Sequence, residues 1–504
     1  MGMRSVLRVL VACLAAACAP NAANMTSPGA DAPWRPTGNE DRVWSIQSEA
    51  APPPADAPRD FRVPPNPALA VLPQTPDVDT DRVYRLPELI DLAQRNNPAT
   101  RVAWLRAREA ALAVGMVEAT FLPVITANVI GGRQTISTPL PVPIGTQRYF
   151  DTTVDGVSPS IALQWLLFDF GRRAAVAEAA RHGAVAANIL FNGEHQKLIF
   201  DVTRAYYAYG ASVARARIAR DTLRNSTAIR AATEARLSRG LATSVEVAQA
   251  RQQVAQSELR RVQADGQERD AYQALIVALG VNPLLRLRID EGGHRRLPDA
   301  PDTPLDPMVR LALARRPDVL VSYQAVQAGQ AGVTAARAEF LPQVFVAGAL
   351  ASGQSNFSVG GLPTIGQQAT GSGVLFGATV PLYDSGLRAA RLRQAEAQAA
   401  AARNNLERTQ NAAVGEIVAA SNALRTALES HRAASALAAA ASTTYAAALA
   451  AYNNGVGTVT AATAADSGLL DARQAEAEAH AASLIGAANL AFVVGALTSR
   501  EVAP

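Results

Sequence analysis

The sequence predicts an α+β membrane protein of two tandem structural repeats, each with two transmembrane β-strands and long coiled-coil helices. Three features of the 504-residue chain point there. It contains an internal duplication, two long runs without proline, and two pairs of short alternating segments between turn-rich stretches.

The duplication shows in five landmarks that recur in one order. Asn97-Pro98 returns as Arg316-Pro317, and Phe121-Leu122-Pro123 as Phe340-Leu341-Pro342, both at an offset of 219. Phe168-Asp169-Phe170-Gly171-Arg172-Arg173 returns as Tyr383-Asp384-Ser385-Gly386-Leu387-Arg388, at an offset of 215. Gly240 returns as Gly455 and Gly280 as Gly495, again at 215. The boundaries that follow are 84–285 for the first repeat, 286–305 for a linker, 306–499 for the second repeat and 500–504 for a tail.

Before the repeats, Arg4 and Arg8 precede the apolar stretch 9–17, which reads as an export signal over 1–17. Ala15-Ala16-Ala17-Cys18 resembles a lipoprotein cleavage box, with Cys18 as the lipid-attachment residue. Leu10-Val11-Ala12-Cys13 matches the box better but leaves almost no apolar region before it. Residues 18–83 carry Pro52-Pro53-Pro54 and Pro64-Pro65 and are expected to run extended from the anchor. Cys13 and Cys18 are the only cysteines, so no disulfide framework or thiolate metal site is expected. The five histidines are scattered without metal-ligand spacing.

Each repeat opens with a helical segment, 87–120 or 306–339, ended by Phe-Leu-Pro. An alternating segment follows (123–131; 343–350), then a loop rich in Gly, Pro, Thr and Ser (132–157; 351–372), then a second alternating segment (159–168; 373–383). Ile161, Leu163, Trp165 and Leu167 alternate with Ser160, Ala162 and Gln164; Val374, Phe376, Ala378, Val380 and Leu382 alternate with Gly373, Gly377 and Thr379. Alternation over about 10 residues matches transmembrane β-strands, though a small soluble sheet has the same pattern. Trp165, Phe168, Phe170 and Tyr383 suit an interfacial aromatic belt.

At the strand-to-helix junctions, Gly171 and Gly386 permit a tight turn, and Asp169 and Asp384 are placed to cap the next helix. Asp169-Phe170-Gly171 spells a kinase-like triplet, but no Gly-rich or His-Arg-Asp loop accompanies it. Residues 174–239 and 389–454 contain no proline and are 66 residues each, about 100 Å as helix. A second helix, 243–278 or 458–493, follows each glycine turn. Ala248, Ala255 and Val262, like Val247 and Val254, recur every seventh residue, which favours coiled-coil packing. The segments 87–120 and 243–278 together match one long helix in length, so each repeat is expected to fold as one long helix flanked by two stacked shorter ones.

Hydrophobic residues are 49% and aromatics 5% of the chain, so alanine carries the apolar count and close-packed helices are favoured. The net charge of +4 is small, Lys197 is the only lysine and no basic block occurs, which argues against nucleic acid as a partner. Residues 433–465 carry no charge, yet Ser435, Ser442, Thr443, Thr444, Asn453 and Asn454 argue for Ala-based packing rather than a membrane helix. No nucleophile–base pair, phosphate loop or metal cluster emerges, so no enzyme is expected. Four strands per chain leave open edges that lipid does not tolerate, so closure by oligomerisation is required. Two copies give an eight-stranded, filled barrel; three give twelve strands and room for a lumen.

The doubled Phe-Leu-Pro, the doubled Phe/Tyr-Asp-x-Gly junctions and the doubled glycine tips (236–243 and 452–458) resemble the TolC-type outer membrane factors, the lipoprotein subgroup of the outer membrane efflux proteins. The resemblance covers about 84–499. It implies a homotrimer whose 12-strand β-barrel joins a periplasmic α-helical barrel of twelve helices, held in outer-membrane lipid with a lipid anchor. It implies no catalysis and no cofactor. It also implies a passive exit duct for small molecules, driven by an inner-membrane pump of the RND type through a periplasmic adaptor (membrane fusion protein). Adaptor contact then falls to Arg236, Leu237, Ser238, Gly240, Leu241, Tyr452, Asn453, Gly455 and Val456. Many family members place aspartates just after the second tip; here Ala461 and Ala464 stand there, and Asp466 is the first acid, against Glu246 after the first tip. Two alternatives stay open: the outer-membrane component of a type I protein secretion system, and a periplasmic coiled-coil adaptor or scaffold lipoprotein.

Overall fold

The computed structural model describes residues 27, 30, 33, 61–63, 65–71, 78–144, 147–290, 296–297, 304–359 and 365–497. Cys13, Cys18 and the tail 500–504 lie outside them. The chain divides into two units, Met1–Gln74 and Thr75–Pro504. In the first, the described residues form one 3-10 turn, Pro67–Leu69, capped by the Asn66 side chain.

In the second unit the elements run β1 (Val83–Tyr84), α1 (Leu86–Asn96), α2 (Pro98–Ala119), β2 (Val124–Ile144), β3 (Gln147–Phe168), α3 (Arg172–Leu237), α4 (Ser244–Leu279), β4 (Arg288–Ile289), α5 (Leu305–Leu313), α6 (Pro317–Ala338), β5 (Gln343–Val359), β6 (Ile365–Thr379), α7 (Leu387–Asn453) and α8 (Val459–Val493). α3 and α7 are single helices of 66 and 67 residues, close to the expected runs.

The expected helical segments 87–120 and 306–339 are each broken in two. Pro98 has no N–H and drives Asn97 out of the helical region, to ψ 125; Pro317 does the same to Arg316, at ψ 127. Asn97 turns the break into a cap, because its Oδ1 accepts from Ala99 N at 2.9 Å.

The strands are longer than expected. β2 and β3 have 21 and 22 residues and pair antiparallel from Val124↔Gln164 to Ile144↔Gln147. The segment 132–157, expected to be a loop, is almost all hairpin. Its β-branched residues pair across it, as Thr135 does with Thr153 through hydroxyls 3.1 Å apart. β6 stops at Thr379 rather than 383; Pro381 follows and cannot donate to a ladder.

The four long strands form one sheet in the order β2-β3-β5-β6. Its register sorts the residues by face. Ile125, Leu163, Gly348 and Val374 share one face, as do Trp165, Val346 and Phe376 and the pair Ile161 and Leu350. The other face carries Thr126, Asn128, Ser160 and Gln164 with Ala347, Ala349 and Gly373. Near the helical end the first face is mainly apolar, while the second is mixed, with Val124, Leu166, Phe345 and Leu375 among its small and polar residues. Phe168, Phe170 and Tyr383 are exposed at the helical end of the sheet, and Trp165 Nε1 donates to the Phe121 carbonyl at 2.8 Å.

In the helix layer α3 lies between α2 and α4 on one side and α6 and α8 on the other; α7 packs on α6 and α8. The end of α4 meets the start of α2. Asn97 Nδ2 donates to the Ala278 carbonyl at 3.3 Å, and Arg316 Nη1 donates to the Val493 carbonyl at 3.0 Å in the second repeat. Short helices stack end to end as expected. A core of Leu89, Ile90, Val202, Leu275, Ile276 and Leu279 seals the first joint, and one of Ala312, Ile417, Ala420 and Leu424 seals the second. Burial of each large aliphatic side chain stabilises by about 1.5–3 kcal/mol.

The seam of α4 against its neighbours is Val247, Ala250, Ser257 and Ala264, whereas Ala248, Ala255 and Val262 are exposed. The expected Val247–Val254 spacing follows the packed side; the Ala248 stripe does not. Small residues on several faces satisfy a heptad equally well, so spacing alone does not choose between them.

Candidate functional site at the helix tips

Among the described residues, the positive-φ glycines are three repeat pairs: Gly171 and Gly386, Gly240 and Gly455, Gly280 and Gly495. Phe170 (φ 52) and Ser385 (φ 54) form a fourth pair in the same region. Every described residue with positive φ in one repeat thus has its counterpart in the other.

At the first tip Leu241 N donates to the Arg236 carbonyl and Gly240 N to the Leu237 carbonyl, both at 2.9 Å. This double closure requires a left-handed residue, supplied by Gly240 at φ +71. The second tip repeats it: Val456 N donates to the Ala451 carbonyl at 3.0 Å and Gly455 N to the Tyr452 carbonyl at 3.1 Å.

The outgoing helices start differently. Thr243 Oγ1 accepts from Glu246 N at 3.2 Å, and Glu246 Oε2 accepts from Thr243 N at 2.6 Å, a reciprocal cap. The hydrogen bond from the Thr243 backbone holds the Glu246 carboxyl below its ordinary pKa. Thr458 Oγ1 accepts from Ala461 N at 3.2 Å, but alanine returns nothing. The missing acid of the second tip therefore sits where a capping carboxylate would.

The two tips are tied together. Arg236 Nη1 donates to the Tyr452 carbonyl at 2.6 Å, and the guanidinium lies 5.0 Å from the Tyr452 ring centre. The Tyr452 and Thr233 hydroxyls are 2.6 Å apart. Tyr452 is buried with Ile229, Ala250, Val459 and Ala462. Of the nine tip residues, Leu237, Leu241 and Val456 present apolar side chains, with Val456 85% exposed; Ser238, Gly240, Asn453 and Gly455 lie exposed beside them. Arg236 and Tyr452 instead face each other. Thr233, which sequence reasoning passed over, is a hydroxyl inside a helix with no local signal.

At the opposite ends of α3 and α7, Asp169 Oδ2 accepts from Arg173 N at 2.9 Å and Arg173 Nε at 3.0 Å. Arg173 also donates to the Thr120 carbonyl at 2.7 Å and lies 4.7 Å from the Phe121 ring centre. Asp384 accepts from Arg388 N at 3.0 Å, Arg388 Nε at 2.6 Å and Gly386 N at 3.1 Å. The Arg388 hydrogen bond holds the Asp384 carboxyl below its ordinary pKa. Each aspartate reaches the second residue of its helix while glycine occupies the cap position. The arginines clamp strand, Phe-Leu-Pro turn and helix together. Their sequence signal is the doubled Asp-x-Gly-x-Arg, whose last position is the clamping arginine in both copies.

Among the described residues, no group of three or more His, Cys, Asp or Glu is placed to hold a metal ion.

The family model for outer membrane efflux proteins matches residues 89–281 and 308–496. The chain is 28% identical over 347 residues to the outer membrane protein OprJ of Pseudomonas aeruginosa, covering 68% of this chain and 70% of OprJ. It is 25% identical over 358 residues to the probable outer membrane lipoprotein SilC of Salmonella typhimurium, covering 70% and 73%. The fold superposes on the Campylobacter jejuni CmeC outer membrane channel with a TM-score of 0.68 at 19% identity, over 82% of this chain and 85% of that one. With two repeats, the doubled tips and both halves of the family model present, the chain belongs to the outer membrane efflux protein family.

Proposed function

We propose that this outer-membrane efflux channel works as a homotrimeric exit duct, fed with small molecules by an inner-membrane pump through a periplasmic adaptor. The observation that carries the reading is the pair of open margins. The sheet ends on β2 and β6, and the helix layer ends on α2 with α4 at one side and α7 at the other. In lipid each unpaired backbone group of an open strand edge costs several kcal/mol. Pairing β6 of one copy with β2 of the next removes that cost and brings α7 against the neighbouring α2 and α4. Three copies supply twelve strands, enough to enclose water, whereas eight strands enclose a filled interior. The mainly apolar face of the sheet then meets lipid, and the mixed face that carries Thr126, Asn128, Ser160 and Gln164 lines the lumen.

The exposed apolar side chains of Leu237, Leu241 and Val456 support adaptor contact at the tips, with Ser238, Gly240, Asn453 and Gly455 around them. Arg236 and Tyr452 hold the two tips in register. Lipid attachment at Cys18 is supported by the sequence box and by the lipoprotein named among the relatives.

The test uses a single cysteine at Leu241 and another at Val456, crosslinked in intact cells and followed by mass spectrometry. Capture of a pump-linked periplasmic adaptor is the expected result, and its class reports whether the cargo is small molecules or protein. Silence at both positions rejects the tip assignment. Native mass spectrometry of the purified protein is expected to give three copies; two copies reject the trimer.

A further inference from the structure

Between the tips and the first acid of α8 lies a charge-free stretch, and that acid, Asp466, is fully buried, at 0% exposure. It sits about two turns above the Thr458 cap and faces α3, where its Oδ1 accepts from Asn225 Nδ2 at 3.0 Å. Its Oδ2 is buried with no hydrogen-bond partner. On α4, Arg260 Nη1 is likewise buried without a partner. The Asp466 carboxylate, with Oδ2 unbonded, and the Arg260 guanidinium, with Nη1 unbonded, therefore attract one another without a hydrogen bond between them. One residue on, Ser467 Oγ accepts from Gln253 Nε2 at 2.9 Å, so the same turn of α8 touches α3 and α4.

An ionised carboxylate in this position is costly, because one oxygen has neither water nor a donor. A neutral carboxyl costs far less, even with its hydroxyl unpaired. The groups that bear on it are Arg260 from α4, Arg473 from α8 and the Tyr445 phenol from α7; α3 offers only the neutral amide of Asn225. Beside the seam a groove of about 510 Å³, lined by Asn225, Tyr445, Asn453, Leu469 and Arg473, opens to solvent. Protons have a route to the neighbourhood of the carboxyl.

We propose that Asp466 is a proton-operated latch: neutral, it seats the tip end of α8 against Asn225 of α3; ionised, it weakens that seat, turns towards Arg260 and loosens the tip. The latch extends the duct reading, since it needs the turns at 236–243 and 452–458 to be the end that opens. Burial pushes the Asp466 carboxyl from its ordinary 3.8 up to about 6, against the smaller opposing effects of Asn225, Arg260 and Arg473. The sign follows. The seated form holds the proton more tightly than the loosened form, so seating is strongest below pH 3.8 and weakens until pH passes about 6. Between about pH 5 and about pH 7.5 the equilibrium for loosening shifts by roughly tenfold.

Hydrogen–deuterium exchange on the wild-type assembled protein, corrected for intrinsic exchange rates, tests this. Protection of 459–470 is expected to fall about tenfold over that interval, while protection of 198–213 on α3 holds. Asp466→Asn, neutral at every pH, is expected to give a flat profile, and Asp466→Leu provides a second neutral version should the first not assemble. A flat wild-type profile overturns the latch, as does a neutral variant that keeps the fall. Conduction is not read, so failure of the latch and failure of the duct reading remain distinguishable.

Discussion

Arg236 at the end of α3 grips Tyr452 at the end of α7, with Nη1 2.6 Å from the Tyr452 carbonyl oxygen and the guanidinium 5.0 Å from the ring centre. The two residues belong to different repeats, so the contact fixes the spacing of the tips. Removal of a charge-assisted hydrogen bond costs about 1.5–3 kcal/mol, and the stacked cation adds about 0.5–1 kcal/mol. Arg236→Ala is therefore expected to raise the resting conductance of the channel in planar bilayers. Tyr452→Phe keeps the carbonyl and the ring and loses only the hydroxyl contact to Thr233, worth about 1 kcal/mol. Its effect is expected to be smaller; equal or reversed effects would show that the tips are not held by this link.

The junction arginines make a second comparison. Asp169 is 5% exposed and its Oδ2 accepts from Arg173 twice. Arg173→Ala leaves a buried carboxylate without its cation, a loss of about 3–5 kcal/mol. The Asp384 side chain is 26% exposed and keeps its bond from Gly386 N. Arg388→Ala is expected to cost clearly less. Thermal unfolding of the two variants in detergent ranks them, and an unfolding temperature lower for Arg388→Ala than for Arg173→Ala contradicts the burial argument.

Gly280 and Gly495 occupy matching joints with nearly equal φ, +70 and +73, so alanine at either is strained by about 1–2 kcal/mol. Their surroundings differ. A Cβ on Gly280 would lie 2.8 Å from the Asn97 Cα, whereas the nearest atom for Gly495 is 3.4 Å away. Gly280→Ala must push α4 and α2 apart, for about 1–3 kcal/mol more. It is expected to lower the yield of assembled protein more than Gly495→Ala; similar yields would mean the joint is soft.

These joints also show what was legible in the sequence. The proline-free runs match α3 and α7 to within a few residues, because no helix-breaking proline falls inside either. Asn97-Pro98 was visible as a repeat marker, yet its consequence, the split into α1 and α2, was not drawn from the missing N–H. Strand ends were harder. Thr135 and Thr153 read as loop until a partner strand lies opposite, since strand propensity is chiefly the packing of neighbours. Asp466 was noticed as the first acid after the tip, but its burial depends on which stripe of an alanine-rich helix turns inward. That choice is made by α3 and α4, beyond the reach of periodicity.

The charge pattern at the tips leads to the last expectation. Divalent cations bind where several carboxylates converge in water. After the second tip Ala461 and Ala464 are exposed where acids would have to stand, and Asp466 is buried behind them. After the first tip Glu246 is committed to the Thr243 cap, which lowers its basicity and fixes its direction. Glu234, near the end of α3, is paired with Arg251 at 3.0 Å. Among the described residues of the two turns and the first two turns of the outgoing helices, no free carboxylate remains to form a ring when copies assemble. Millimolar calcium or nickel added from the periplasmic side is thus expected to change conductance by less than about twofold, and strong block at micromolar concentration would refute this. Ala464→Asp is the informative counterpart. It restores an exposed acid at the sixth residue of α8, beyond the reach of the Thr458 cap, and three copies bring three such acids together. Block should appear in that variant alone; if it does not, the turns do not converge on a common axis.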